Sequence, residues 1–318
     1  MSLRIRLSSE LPFSEMELAL LIHSAPFAYK SYEIRKANGG LREVSQPTPA
    51  VKLLQRYIVA NELNRAPVHF AATAYRPNIG LAENVRPHLK NRFLLKMDFK
   101  SFFPSLCPVD LETFLKKNSS HFPIYSEQDF RDLIRILFKA SPSDQNLRLA
   151  IGAPSSPHLS NILLYDLDVS VQEICNKMGV VYTRYADDIA FSTSEPDVLF
   201  ELEALVAGIV EKQVSPKLIL NKDKTVHTSV KRGRRITGLV INNDGAISIG
   251  RDRKRQLRAE IHTYQEKKMS AENVLSLRGY ISFLNSVQPA EIESLRVKYG
   301  KELIDGLLYA QENIEVKK

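Results

Sequence analysis

The tetrapeptide Tyr185-Ala186-Asp187-Asp188 lies between two β-rich segments, VVYTRY and IAFST, and constrains this chain more than any other feature. Two strands joined by so short a turn form a hairpin, whose tip then carries two adjacent carboxylates. Unpartnered carboxylates at buried strand ends are costly, so the hairpin calls for a cation and for a further acid nearby. RFLLKMDF, from Arg92 to Phe99, supplies that acid: it reads as a short buried strand ending in Asp98. Asp98, Asp187 and Asp188 are therefore the candidate catalytic residues and metal ligands. Ligation by oxygen alone suits Mg²⁺, and two such ions can stabilise both the attacking and the leaving oxygen of a phosphoryl transfer.

At 318 residues and 44% hydrophobic, the chain can bury a sizeable core. No stretch approaches a membrane span and the N-terminus has no continuous apolar signal segment, so no membrane partner is expected and the expected compartment is the cytoplasm. Cys107 and Cys175 stand alone, without metal-ligand spacing to histidines, and read as core thiols. The net charge is +8, and it is concentrated: residues 212–268 hold 15 Lys or Arg against five Asp or Glu, leaving the rest of the chain at −2. A polyanionic partner fits that balance.

Along the chain, SYEIRKANGGLREVSQP predicts a hairpin turning at Asn38-Gly39-Gly40, and AVKLLQRYIVANELN predicts a helix after it. After Gly152, Ser155, Ser156 and Pro157 suit a helix N-terminus. Asn243-Asp244-Gly245 predicts a second hairpin, followed by a basic helix carrying Arg251, Arg253, Lys254, Arg255 and Arg258. No internal repeat or long linker separates these parts.

KMDFKSFFPSL, GAPSSPHLSN, YTRYADDIAFS and LNKDKT, in this order, resemble the successive motifs of bacterial retron reverse transcriptases, over roughly Arg42 to Gly250. Ile236-Thr237-Gly238 is similar to the family's Val-Thr-Gly signature. Asn84 and His88 are similar to its Asn-Ala-x-x-His signature, with Val85 in place of alanine. The resemblance implies an α+β right-hand polymerase fold: fingers over residues 1–90, a palm over 91–249 built on an antiparallel sheet with helices on one face, and a helical thumb over 250–318. It also implies that Asp98 and Asp187 hold both Mg²⁺ ions with Asp188 assisting.

By the same resemblance Arg42 binds the triphosphate of the incoming dNTP, with Arg35 and Lys36 as weaker helpers, and Phe103 packs under the sugar and excludes a 2′-hydroxyl. Gly152 belongs to the nucleotide site, and Lys224 stabilises the pyrophosphate leaving group. Ile151 departs from the family, which carries Gln there, and removes a polar contact to the nucleotide or template. The basic helix resembles a thumb helix that grips a duplex through its phosphates. Asn84, His88, Thr237 and Gly238 are candidates for contact with structured RNA, although a capped turn and a packed strand account for them equally well.

The function so implied is RNA-directed DNA synthesis on a cognate noncoding RNA. The product is multicopy single-stranded DNA joined to that RNA by a 2′–5′ branch at a priming guanosine. The implied partners are the RNA, the RNA–DNA product, dNTPs and a separate effector protein acting in antiphage defence. A group II intron or diversity-generating reverse transcriptase shares the three acids and remains an alternative, as does a catalytically silent RNA-binding scaffold.

Overall fold

A computed structural model of the chain describes residues 2–35, 39–122, 125–141, 143 and 145–309. Helices α1 (Leu3–Glu10) and α2 (Glu15–Ser24) come first, the second opened by a capping box between Ser14 and Glu17. Strands β1 (Tyr29–Arg35) and β2 (Leu41–Pro47) pair antiparallel, as their alternation predicts. Lys36 and Asn38, in the turn between them, lie outside the described residues. Helix α3 (Pro49–Tyr57) continues as a π turn over Ile58–Glu62, and α4 (Leu81–Val85) runs into a 3₁₀ turn, Arg86–His88.

Strand β3 (Phe93–Asp98) is followed by α5 (Phe102–Ser105), α6 (Pro108–Lys117) and α7 (Glu127–Leu137). A small ladder, β4 (Lys139–Ala140) with β5 (Leu147–Arg148), leads to α8 (Ser156–Leu163) and α9 (Tyr165–Lys177). Ser155 does not cap α8. Its backbone is already helical and its buried hydroxyl has no partner among the described residues, because Pro157 at the helix start, not a side-chain cap, begins the turn.

The central hairpin is β6 (Val181–Tyr185) and β7 (Asp188–Thr193), after which come α10 (Val198–Lys212) and β8 (Val226–Ser229). These strands form one antiparallel sheet in the order β6-β7-β3-β8. A three-stranded sheet of β9 (Arg234–Ile236), β10 (Leu239–Ile241) and β11 (Ile247–Ser248) follows. Ile236 pairs with Leu239, so Thr237-Gly238 is a two-residue turn with positive φ at both positions, not part of a strand. Among the described residues four helices follow: α11 (Arg251–Gln265), α12 (Ala271–Val287), α13 (Pro289–Tyr299) and α14 (Lys301–Tyr309).

Period-two alternation divides the central sheet into two faces. Leu95, Met97, Ile189, Phe191 and Tyr182 point to the larger core, where α9 and α10 pack. Leu94 and Ala190 point the other way, into a second core shared with Val85, Ile236, Leu239, Leu257 and Ile261. The long helices α9 and α10 thus lie together on one face of the sheet, as expected. The second face is also covered, by α4 and the three-stranded sheet, since Leu94 and Ala190 would otherwise lie open to water. Through this second core the C-terminal helices pack directly on the sheet. Cys107 and Cys175 are both free thiols. Among the described residues no helix is long and apolar enough to cross a membrane.

Candidate active site

Asp98 ends β3 and Asp188 opens β7, and the register sets them directly opposite one another. Tyr185 pairs with Asp188, leaving Ala186-Asp187 as the two-residue turn, with Ala186 in the left-handed region at φ 56°. Of the two acids expected at the tip, Asp187 is in the turn and Asp188 is already in the strand. The Phe99 amide donates to the Asp187 carbonyl at 3.3 Å and the Asn221 amide to the Asp98 carbonyl at 2.7 Å, so the segment that follows α10 is bound to the same strand end. This brings in Lys224, whose Nζ donates to both Asp98 oxygens at 2.9 Å.

Three carboxylates at one strand end repel one another, and cross-strand like charges are destabilising. Partial burial raises the Asp187 carboxyl above the usual range, with Asp98 adding to the rise. Burial, then Asp187 and Asp98, push Asp188 up to about 6. Hydrogen bonding to Asp98 raises Lys224 in turn. The site thus requires positive charge, and the lysine supplies one unit of it. Among the described residues no set of three His, Cys, Asp or Glu side chains is arranged as a ready-made metal cage. The donor set fits a hard cation that keeps waters and takes further oxygens from a phosphate ligand, as Mg²⁺ does.

A cleft of about 760 Å³ opens in front of Asp98 and Asp187, with Arg42, Tyr75, Phe103, Ile151 and Lys224 on its walls. Arg42 comes from β2, and its charge reaches Asp187. Arg35 is exposed on β1 opposite Leu41 and does not line the cleft. The two adjacent phenylalanines divide the work: Phe102 is 4% exposed and stacks on Phe99, whereas the partly buried Phe103 lines the cleft. Ile151 gives the wall an apolar patch. Gly152 lies behind that wall. At φ 107°, a Cβ there would stand 2.9 Å from Val44 and 3.1 Å from the Ser45 carbonyl, while the Ser45 amide donates to Ile151. Its role is to let β2, and Arg42 with it, approach the cleft.

Thr237 and Gly238 line a second cavity of about 490 Å³, with Asp188, Lys96 and Arg235. Asn84 and His88 are both buried, as the packed-turn reading has them, and Asn84 also lines the 490 Å³ cavity. Asn84 accepts from the Thr73 hydroxyl at 2.8 Å. His88 bridges Ser192 at 2.7 Å and Thr183 at 2.8 Å, tying the Arg86–His88 turn to β6 and β7. Burial pushes His88 down to about 3. Its folded value lies below the unfolded value near 6.5, so its contribution is present above that pH and is lost as pH falls toward 3. Urea unfolding from pH 6 to pH 4 is expected to show stability falling by up to about 1.4 kcal/mol per pH unit from this group alone. His88→Gln should flatten the profile; identical slopes would assign the effect elsewhere.

The basic helix also divides. Arg253 lies 3.7 Å above the Tyr280 ring and bonds to Glu260 at 2.9 Å, and both Lys254 and Arg258 pair with Glu291. These three hold α11 to α12 and α13. Arg251 and Arg255 are exposed, with no ion pair recorded among the described residues.

Sequence reasoning missed Tyr75, on the cleft wall, and Lys139, which binds Glu43 at 2.7 Å and lines the same cleft. It also missed Arg184, fully buried, which clasps Asp168 through two hydrogen bonds of 2.8 and 2.6 Å directly before the acidic turn. None of the three stands in a local pattern that marks it. The one partial signal is Arg184 itself, a charge inside a β-rich segment, since such a charge must find a buried partner.

Comparison with known proteins bears on this geometry. Residues 34–241 match the family described as Reverse transcriptase (RNA-dependent DNA polymerase). The chain is 34% identical to the retron Ec83 reverse transcriptase of Escherichia coli, covering 91% of this chain and 92% of that one. It is 30% identical to the retron Ec86 reverse transcriptase of the same organism, covering 89% and 86%. Among solved structures it superposes on telomerase from Candida tropicalis in complex with a fragment of telomeric RNA, with a TM-score of 0.51 at 12% identity. That alignment covers 91% of this chain and 58% of the telomerase chain, and the likeness concerns the fold.

Proposed function

The chain belongs to the retron-type reverse transcriptases, RNA-directed DNA polymerases with a right-hand fold, and from that premise we propose that it copies part of a cognate structured RNA into single-stranded DNA. The observation that carries the reading is the cross-strand pairing of Asp98 with Asp188, with Asp187 in the adjoining turn, at the floor of a cleft that Arg42 and Phe103 also line.

In this reading residues 1–90 serve as fingers, 91–249 as palm and 250–318 as thumb. Asp98, Asp187 and Asp188 would hold two magnesium ions, whose chemistry is to neutralise charge at the attacking and leaving oxygens. Arg42 binds the triphosphate, a planar guanidinium matching two phosphate oxygens at once. Phe103 presents its ring to the sugar and rejects a 2′-hydroxyl by volume. Lys224, resting on Asp98, turns to the departing pyrophosphate, where its charge offsets the negative charge that develops. Arg251 and Arg255 contact duplex phosphates, and Thr237 and Gly238 meet the nucleic acid beyond Asp188.

The product is DNA joined to its RNA by a 2′–5′ branch, made in the cytoplasm and acting with a separate effector in antiphage defence. Expression of the chain together with the DNA that flanks its gene should yield RNA-linked single-stranded DNA, detected as a band that shortens on debranching. Primer extension without any such product would overturn the retron assignment and favour a group II or diversity-generating enzyme.

A further inference from the structure

Tyr75 is a large residue in a conformation that large residues avoid. Its φ is 61°, in the left-handed region, yet its side chain is 46% exposed, so full burial does not compensate the backbone strain. The surrounding segment holds it there. The Thr73 amide donates to the Arg184 carbonyl at 2.9 Å, the Arg184 amide to the Ala71 carbonyl at 2.7 Å, and Asn161 Nδ2 to the Ala74 carbonyl at 2.8 Å. This loop is therefore fastened to the strand that delivers Asp187 and Asp188.

The result is an aromatic cluster at the cleft. The Tyr75 ring centroid lies 6.4 Å from Phe103 and 6.3 Å from Tyr185, and Tyr75 lines the same cleft as Arg42, Asp98 and Asp187. Burial, with Asp187 next, raises its phenol, which keeps the hydroxyl neutral beside the acids. Phe103 has two ring neighbours, the buried Phe102 at 5.3 Å and Tyr75 at 6.4 Å. A ring that rejects a substituent by volume acts only if it cannot give way, so its lateral support matters as much as its size.

Resting on the nucleotide-site reading above, we propose that Tyr75 is a specificity-determining residue. Its ring braces Phe103 and, with Phe103, forms the apolar surface that meets the sugar of the incoming nucleoside triphosphate, while Tyr185 backs it from outside the cleft lining. Losing one such contact typically changes discrimination by about 10-fold to 200-fold. An interaction made equally in the ground and transition states moves KM and not kcat.

The test is single-nucleotide incorporation by the full chain on a primed RNA template, with dNTP and with the matching rNTP. The variants are Tyr75→Gly and Tyr75→Phe, and each is also melted. Glycine removes the ring and suits a φ of 61°, so Tyr75→Gly should fold with a melting temperature close to or above the parent's. It should raise the KM for dNTP by about 10-fold or more, leave kcat within about 3-fold, and lower the dNTP-over-rNTP preference by at least about 10-fold. Tyr75→Phe, which keeps the ring, should match the parent. Unchanged KM and preference in a folded Tyr75→Gly would overturn the assignment, as would a loss confined to kcat. A parent chain that incorporates no nucleotide would instead overturn the polymerase reading on which the assignment rests.

Discussion

Asp187→Asn combined with Asp188→Asn is expected to reduce DNA synthesis by more than about 10³-fold while leaving the protein folded and, without metal, more stable than the parent. Removing one group that stabilises developing charge typically costs about 10² to 10³ in rate, and here two go together. The opposite sign for stability comes from the same geometry. Asp188 faces Asp98 across the sheet, Asp187 adjoins both, and Lys224, the cation bonded to Asp98, with the more distant Arg42 and Lys96, offsets only part of their repulsion. Burial and mutual repulsion push Asp188 up to about 6, so at neutral pH its charge opposes folding, and asparagine removes that cost. Primer extension on an RNA template measures the first effect and thermal unfolding in chelator the second. Undiminished synthesis would refute the placement of the active site, and a fall in melting temperature would refute the electrostatic account.

The second large effect concerns a buried pair behind the acidic turn. Arg184 and Asp168 are both 0% exposed, and Tyr182 adds a hydrogen bond of 2.7 Å to the same carboxylate. Arg184 also reaches the carbonyl of Ala186, within the acidic turn, at 3.3 Å. Removing one partner of a buried pair strands the other, at a cost of about 3–5 kcal/mol, whereas replacing both by apolar residues is often neutral. Asp168→Ala should therefore destabilise by that amount in urea unfolding, and Asp168→Leu with Arg184→Met should recover most of it. A cost below about 1 kcal/mol for Asp168→Ala would show that the arginine finds other partners. If the turn depends on this anchor, the double variant should be stable yet slower in primer extension.

Much of the fold could be read locally. RFLLKMDF, the segments around Tyr185 to Asp188, and SYEIRKANGGLREVSQP form strands because alternation and turn residues act over a few positions. The order of motifs marks the family, and the matched residues 34–241 begin and end within about ten residues of the span from Arg42 to Gly250 that carries those motifs. Asn84 and His88 show where sequence leaves two roles open: polar residues in a motif look available, but the sheet face they meet offers Thr183 and Ser192, and both are buried there. Equally, five cations on one helix look alike in sequence. Glu260, Tyr280 and Glu291 decide that three of them, the exposed Arg258 included, brace helices, leaving Arg251 and Arg255 exposed and without an ion pair among the described residues.

By itself, then, the sequence determined the strands, the hairpin turn and the three acids at their ends, since a carboxylate's position along a strand follows from period and turn chemistry alone. Only the tertiary structure decided that Asp98 and Asp188 stand opposite, that Lys224 rests on Asp98, that Gly152 admits the β1–β2 hairpin, and that Tyr75 stands beside Phe103. Those facts depend on which faces of distant segments meet, and that is settled by burying two cores at once, a balance summed over the whole chain and not written at any one position.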